Sequence, residues 1–142
     1  MMRVITLAET DSERAEAFHV MVQLRPHLSR ESFVAQARRQ TDAVGWQLLT
    51  ARVEGRVVAC SGFRIAEWLA WGKALYVDDL VTDASVRSTG HGAALFDWLV
   101  VRAREEGCES LQLDSGVQRF DAHRFYLTER MEIRSHHFSL KL

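Results

Sequence analysis

Proline is almost absent from this chain. Pro26 is the only one in 142 residues, and glycine occurs 8 times. That composition excludes collagen, Pro-rich linkers and low-complexity disorder. Cysteine is scarce as well: Cys60 and Cys108 are too few for a disulfide scaffold. No CxxC or HxxxH spacing accompanies them, so no metal site is expected. Neither charge sign dominates, with 18 Lys and Arg against 19 Asp and Glu and a net charge of -1. A broad positive field is therefore missing, and no nucleic-acid partner is expected. The opening MMRVITLAET lacks the apolar run that a signal peptide or membrane helix needs. The expectation is a soluble cytoplasmic protein with no membrane partner.

What the sequence does have is material for a core. Hydrophobic residues make up 47% of it and charged ones 26%, which predicts one domain over residues 1–142. Residues 4–7 alternate and read as a first strand. Thr10 followed by Glu13 is a capping-box spacing, so a helix starts near Asp11, with Phe18, Met21 and Val22 as its apolar stripe. Pro26 interrupts it. Ser29 caps a second helix running to about Arg39, with Phe33 and Ala37 one turn apart, and Gly45 ends that region. Residues 46–53 and 56–66 read as strands joined by a tight turn at Glu54-Gly55. After Trp68, Trp71 and Gly72, residues 74–82 complete an antiparallel meander.

The period then changes. Gly92, Phe96, Leu99, Val100 and Ala103 share one helical face, and Gly107 stops that helix. Residues 110–114 read as a short strand, 119–130 as a helix and 132–141 as a final strand. The order βααβββαβαβ describes an α+β domain around one mixed sheet.

Residues 80–99 (LVTDASVRSTGHGAALFDWL) are the most informative stretch. A strand ends, a polar loop follows, and a helix opens at Gly90 and Gly92. Glycine lets a ligand approach the backbone, and a helix N-terminus presents unpaired N–H groups and partial positive charge. Arg87 adds a cation. Together these predict an anion site suited to phosphate or pyrophosphate. It is not a Walker loop, because Gly92-Ala93-Ala94 stands where Gly-Lys-Ser/Thr would be required. Nor is it a dinucleotide fingerprint, because the third glycine and the parallel βαβ unit are missing.

Arg87-Ser88-Thr89-Gly90-His91-Gly92 resembles the R/Q-x-x-G-x-G/A signature of the GNAT N-acetyltransferase superfamily. The preceding LYVDDLVT (75–82) resembles that family's fourth strand, and AHRFY (122–126) resembles its downstream A-x-x-F/L-Y motif. The element order is the family's too, so the resemblance covers essentially the whole chain. It implies a GNAT-like fold and acetyl-CoA as the acyl donor. It places the CoA pyrophosphate on the loop Arg87, Ser88, Thr89, Gly90, His91 and Gly92. The pantetheine arm would run along the fourth strand, which ends at Leu80, Val81 and Thr82. The implied partner is an amine on a small molecule or peptide, and a homodimer is a family-level expectation. Two departures stand out. Arg119 replaces an asparagine of the family motif, and it either reaches a CoA phosphate or is solvated. Arg130-Met131 replaces a glycine-aromatic pair, so a differently built turn is expected there.

Moving an acetyl group from a thioester to an amine needs a base, an oxyanion donor and a proton or hydrogen bond for the leaving thiolate. Tyr126 matches the family's general-acid tyrosine, and a phenol is a donor with a high pKa. A backbone N–H near Leu80 or Val81 is the candidate oxyanion donor. Asp78 and Asp79 are candidate bases in an otherwise apolar strand. Neighbours in a strand face apart, so only one is expected in a given cleft, with Asp78 sharing the face of Tyr76 and Leu80. Structural ion pairs are the alternative role for both. His136 and His137 are likewise neighbours and make no metal pair. Arg25-Pro26-His27 is a candidate specificity element, because in the resembled fold this break borders the acceptor cleft. A non-catalytic acyl-CoA sensor is the alternative to an enzyme.

Overall fold

The computed structural model describes residues 2–87 and 89–142. The chain divides into two compact units, one ending at Gln112 and one spanning Leu113–Leu142. In chain order the elements are β1 (Arg3–Ala8), α1 (Asp11–Glu16), α2 (Phe18–Leu24), α3 (Arg30–Val44), β2 (Gln47–Val53), β3 (Arg56–Trp68) and β4 (Gly72–Thr82). A 3-10 turn at Ala84–Val86 leads to α4 (His91–Glu105), β5 (Ser110–Leu113) and α5 (Phe120–Thr128). The mixed sheet has the order β1-β2-β3-β4-β5, and β1 to β4 form an antiparallel meander.

Local chemistry explains the helix starts. Thr10 accepts from the Glu13 N–H while the Glu13 carboxylate accepts from the Thr10 N–H, a closed capping box. Ser29 and Ser32 do the same for α3. The single helix expected before Pro26 is instead two short ones. Ala17, fully buried, closes α1 and its carbonyl receives the N–H groups of Val20 and Met21, which start α2. That bend sends Val20 and Met21 into a core with Phe33, Ala37, Trp46, Leu48, Cys60 and Val81. Helix α4 buries Leu95, Phe96, Leu99 and Ala103 and packs on β3 and β4, where Phe63 meets Trp98 edge-on.

One irregularity in the sheet matters for function. Gly62 pairs with Asp79, but Phe63 pairs with Val77, so Asp78 is an extra residue in β4. The bulge reverses the simple alternation. Paired residues share a face, so Tyr76, opposite Arg64, joins Asp79 and Val81, while Val77 and Leu80 lie on the other side. The expectation that Asp78 shares its face with both Tyr76 and Leu80 is therefore wrong. The Asp78 carboxylate accepts from Arg64 Nε at 3.1 Å, on the side of Tyr76 and Asp79. A bulge lets both carboxylates turn to one face, which a regular strand forbids.

Glycine is required at position 62 by space. A Cβ there would lie 2.3 Å from the Trp46 ring and 2.5 Å from Asp79 Oδ2. Gly62→Ala is expected to destabilise the fold by about 1–3 kcal/mol through overpacking, read as a lowered denaturation midpoint. An unchanged midpoint would mean that Trp46 and Asp79 have room to move apart.

In the C-terminal unit, α5 ends in a left-handed turn. Arg130 itself adopts it at φ 67, and Met131 N–H closes on Tyr126 O at 3.0 Å. The differently built turn expected here does not occur: the arginine takes the glycine-type conformation at some cost in strain. Nor does the expected final strand form. Residues 132–141 have no regular structure and are exposed. Phe138, Leu140 and Leu142 keep the alternation of a strand, but among the described residues they pair with no strand and stay exposed.

Candidate active site

Two sites in the first unit meet at β4. The first is the loop from Thr82 to α4. Asp83 caps the 3-10 turn, accepting from Ser85 N–H at 3.1 Å and from Gln23 Nε2 at 3.3 Å, contacts that hold its carboxyl below the usual range. Gln23 also accepts from Ala84 N–H at 2.9 Å, so α2 holds the loop from both ends of one amide. On the far side Arg3 donates to Thr89 O at 3.1 Å and to His91 Nδ1 at 2.9 Å. Gly90 precedes the helix with φ 82, a left-handed value that favours glycine, and it offers no side-chain cap. Ala94 N–H makes the first intrahelical bond, to Gly90 O at 3.0 Å. Among the described residues the N–H groups of His91, Gly92 and Ala93 therefore have no backbone partner, and they suit an anion.

The second site is a cavity of about 280 Å3 between α2, α3 and β4. Its walls include Met21, Arg25, Phe33, Gln40, Trp46 and Asp79. Thr41 Oγ1 donates to Trp46 O at 2.7 Å, which fixes Trp46 at the end of α3. Its indole ring is buried, and among the described residues its N–H closes no hydrogen bond. That N–H faces Asp79 nonetheless, near enough to favour its charge. Arg25 reaches in from the end of α2. Its Nε donates to Asp79 Oδ1 at 3.0 Å and its Nη2 to Asp78 O at 2.9 Å.

Asp79 has the perturbation expected of a working carboxylate. Burial raises its pKa, the Asp78 charge adds to that rise, and Arg25 and the Trp46 N–H oppose it. The net direction is upward. Asp78 is different, because Arg64 holds its carboxylate while lying over the rings of Trp68 and Tyr76 at 5.7 and 5.1 Å. Cys60 is fully buried, and burial pushes its thiol well above the usual range, with Asp79 adding to the effect. It stays protonated and offers no nucleophile.

In the C-terminal unit, Tyr126 is buried and its ring meets Phe125 edge-on at 5.5 Å. Burial raises its pKa, while Arg119, at the start of α5, opposes the rise through its charge and a hydrogen bond. The phenol therefore keeps its proton at neutral pH.

A family model described as the GNAT acetyltransferase family matches residues 7–131, across both units. This chain belongs to that family. An uncharacterized N-acetyltransferase of Bacillus subtilis is 34% identical over 119 residues, 84% of this chain and 83% of the relative. An aminoalkylphosphonate N-acetyltransferase of Salmonella typhimurium is 38% identical over 53 residues, 37% of this chain and 34% of the relative. Among solved structures, an aminoglycoside N-acetyltransferase in complex with CoA matches with TM-score 0.86 at 12% identity, over 99% of this chain and 95% of the other. At that identity the likeness is one of fold.

For this GNAT chain, the glycine loop and β4 stand where the sequence puts them. Arg87 is exposed beside the loop, while Ser88 lies outside the described residues. His91 is buried, not solvated, and its Nδ1 is taken by Arg3. Burial and the Arg3 charge lower its pKa, so it brings no charge to the loop at neutral pH. Leu80 and Val81 are buried on opposite faces of β4, and Thr82 lies beside Gly92. Arg119 lies against Tyr126 in place of open solvent. Among the described residues no three His, Cys, Asp or Glu side chains gather to hold a metal, and no helix is long and apolar enough to cross a membrane. Trp46 and Gly62 were missed as site residues, because the pairing of β2 with β3 and of β3 with β4 brings them to Asp79.

Proposed function

We propose that this protein is an acetyl-CoA-dependent N-acetyltransferase acting on a primary amine by direct transfer. The observation that carries this reading is Asp79, buried at a bulge with a raised pKa in a cavity large enough for a small acceptor. The names of the matched proteins support amine acceptors: an aminoalkylphosphonate, an aminoglycoside, glucosamine-6-phosphate and the alanine of a ribosomal protein. At about 280 Å3 the cavity favours a small molecule over a folded protein surface.

The residues present fit acetyl-CoA. The α4 N–H groups at His91, Gly92 and Ala93, with Arg87, Thr89 and Gly90, would hold its pyrophosphate, and β4 from Leu80 to Thr82 would align its arm. Acetyl-CoA supplies the acetyl group as a thioester. Asp79 takes the proton of the acceptor amine, so that nitrogen attacks as a neutral nucleophile. A β4 backbone N–H at Leu80 or Val81 steadies the carbonyl oxygen as it gains charge. The motif resemblance gives Tyr126 the role of donor to the departing thiolate.

The test is a panel of amines with acetyl-CoA, followed by thiol release. Release that requires both protein and amine supports the enzyme. Acetyl-CoA binding without release across the panel would support an acyl-CoA sensor instead.

A further inference from the structure

The cavity carries both signs of charge, and that combination narrows its occupant. We infer that it selects a small amine bearing an oxyanionic acid group, carboxylate or phosphonate, with Arg25 as the partner of the anion and Asp79 facing the amine. This rests on the acetyl-transfer reading and names the acceptor class for it.

A plain cationic amine is a poor match for these walls. Arg25 already sits on Asp79 at 3.0 Å, so a second cation would have to displace it or share the carboxylate against like-charge repulsion. An acceptor with both charges removes the conflict. Its anion draws the guanidinium, and its ammonium takes the place vacated on Asp79. Arg25 is free to do this. Its side chain is 41% exposed, and only Nε and Nη2 donate to the described residues, which leaves the rest of the fork for an incoming anion. Met21, Leu28 and Phe33 give the remainder of the acceptor an apolar wall.

The exchange also explains why an arginine would sit on a base. While Arg25 is bound to Asp79 it lowers that group's proton affinity. Drawing Arg25 away by the acceptor's own acid group restores that affinity only when an acceptor is present.

Matched sets test this: leucine, its phosphonate analogue and isopentylamine, with parallel sets built on alanine and phenylalanine. Binding is measured by calorimetry on the protein loaded with CoA, and thiol release is followed with acetyl-CoA. At least one acid-bearing member is expected to bind about tenfold or more tighter than its acid-free amine. Whether carboxylate or phosphonate wins identifies the acid. Arg25→Met is expected to shrink the preference below about twofold, and Arg25→Lys to restore part of it. Equal affinity within every set, no binding of any member, or a preference that survives Arg25→Met would overturn the proposal. Acid-selective binding without thiol release would support it and contradict acetyl transfer. Acetylation with no acid preference would do the reverse.

Discussion

Asp79→Asn is expected to lower kcat by about 10²–10⁴-fold, the usual contribution of a positioned general base. Acetyl-CoA affinity should stay within about twofold, because the glycine loop is untouched. The pH profile gives an independent check. A base must be ionised to act, so the rate falls as pH drops through the pKa of Asp79. Burial raises that pKa, so the acid limb of kcat/KM lies above the ordinary carboxylate range. Asp79→Asn removes this limb. Asp78→Asn moves it toward lower pH, because the Asp78 charge helps to push Asp79 up. The loss of rate in Asp78→Asn should be small, since Arg64 already holds that carboxylate. An acid limb that persists in Asp79→Asn would assign the base elsewhere.

Tyr126→Phe is the second large effect. The ring and its packing on Phe125 are kept, while the hydroxyl and its contact with Arg119 are lost. If the phenol protonates the leaving thiolate, kcat falls by about 10²-fold or more and acetyl-CoA still binds. The alkaline side is informative as well. Burial holds the phenol's pKa above its usual value, so the native enzyme keeps its acid form through mildly alkaline pH. Turnover unchanged in Tyr126→Phe would remove this residue from the chemistry and leave it a buried aromatic of α5.

The two carboxylates also show where sequence reading stops. Local signals were legible: the Thr10–Glu13 box starts α1, Ser29 starts α3, and Glu54-Gly55 turns β2 into β3 with φ of 52 and 79. The glycine loop was legible for the same reason, because Gly90 needs its left-handed φ whatever surrounds it. The β4 bulge was not. It depends on how β3 and β4 register, a pairing that spans many residues, and no pattern within β4 announces an extra residue. Strict alternation therefore split Asp78 from Asp79, whereas the bulge turns both to one side. Gly62 and Trp46 reach Asp79 only through the β2–β3 and β3–β4 pairings, which are equally non-local. Arg25 was noticed only because Pro26 breaks the chain beside it; its bond to Asp79 is a tertiary fact. Residues 132–141 read as a strand because Phe138, Leu140 and Leu142 alternate, but alternation alone supplies no partner strand, and the segment stays exposed.

The central claim is that Asp79 and the glycine loop serve one transfer of acetyl from CoA to an amine. The most direct measurement is the mass of an acceptor amine after incubation with deuterated acetyl-CoA and the protein. The account predicts one labelled acetyl group on the amine nitrogen for each CoA thiol released, with formation lost in Asp79→Asn. Acetyl-CoA that binds and is recovered intact in the presence of every amine would contradict it.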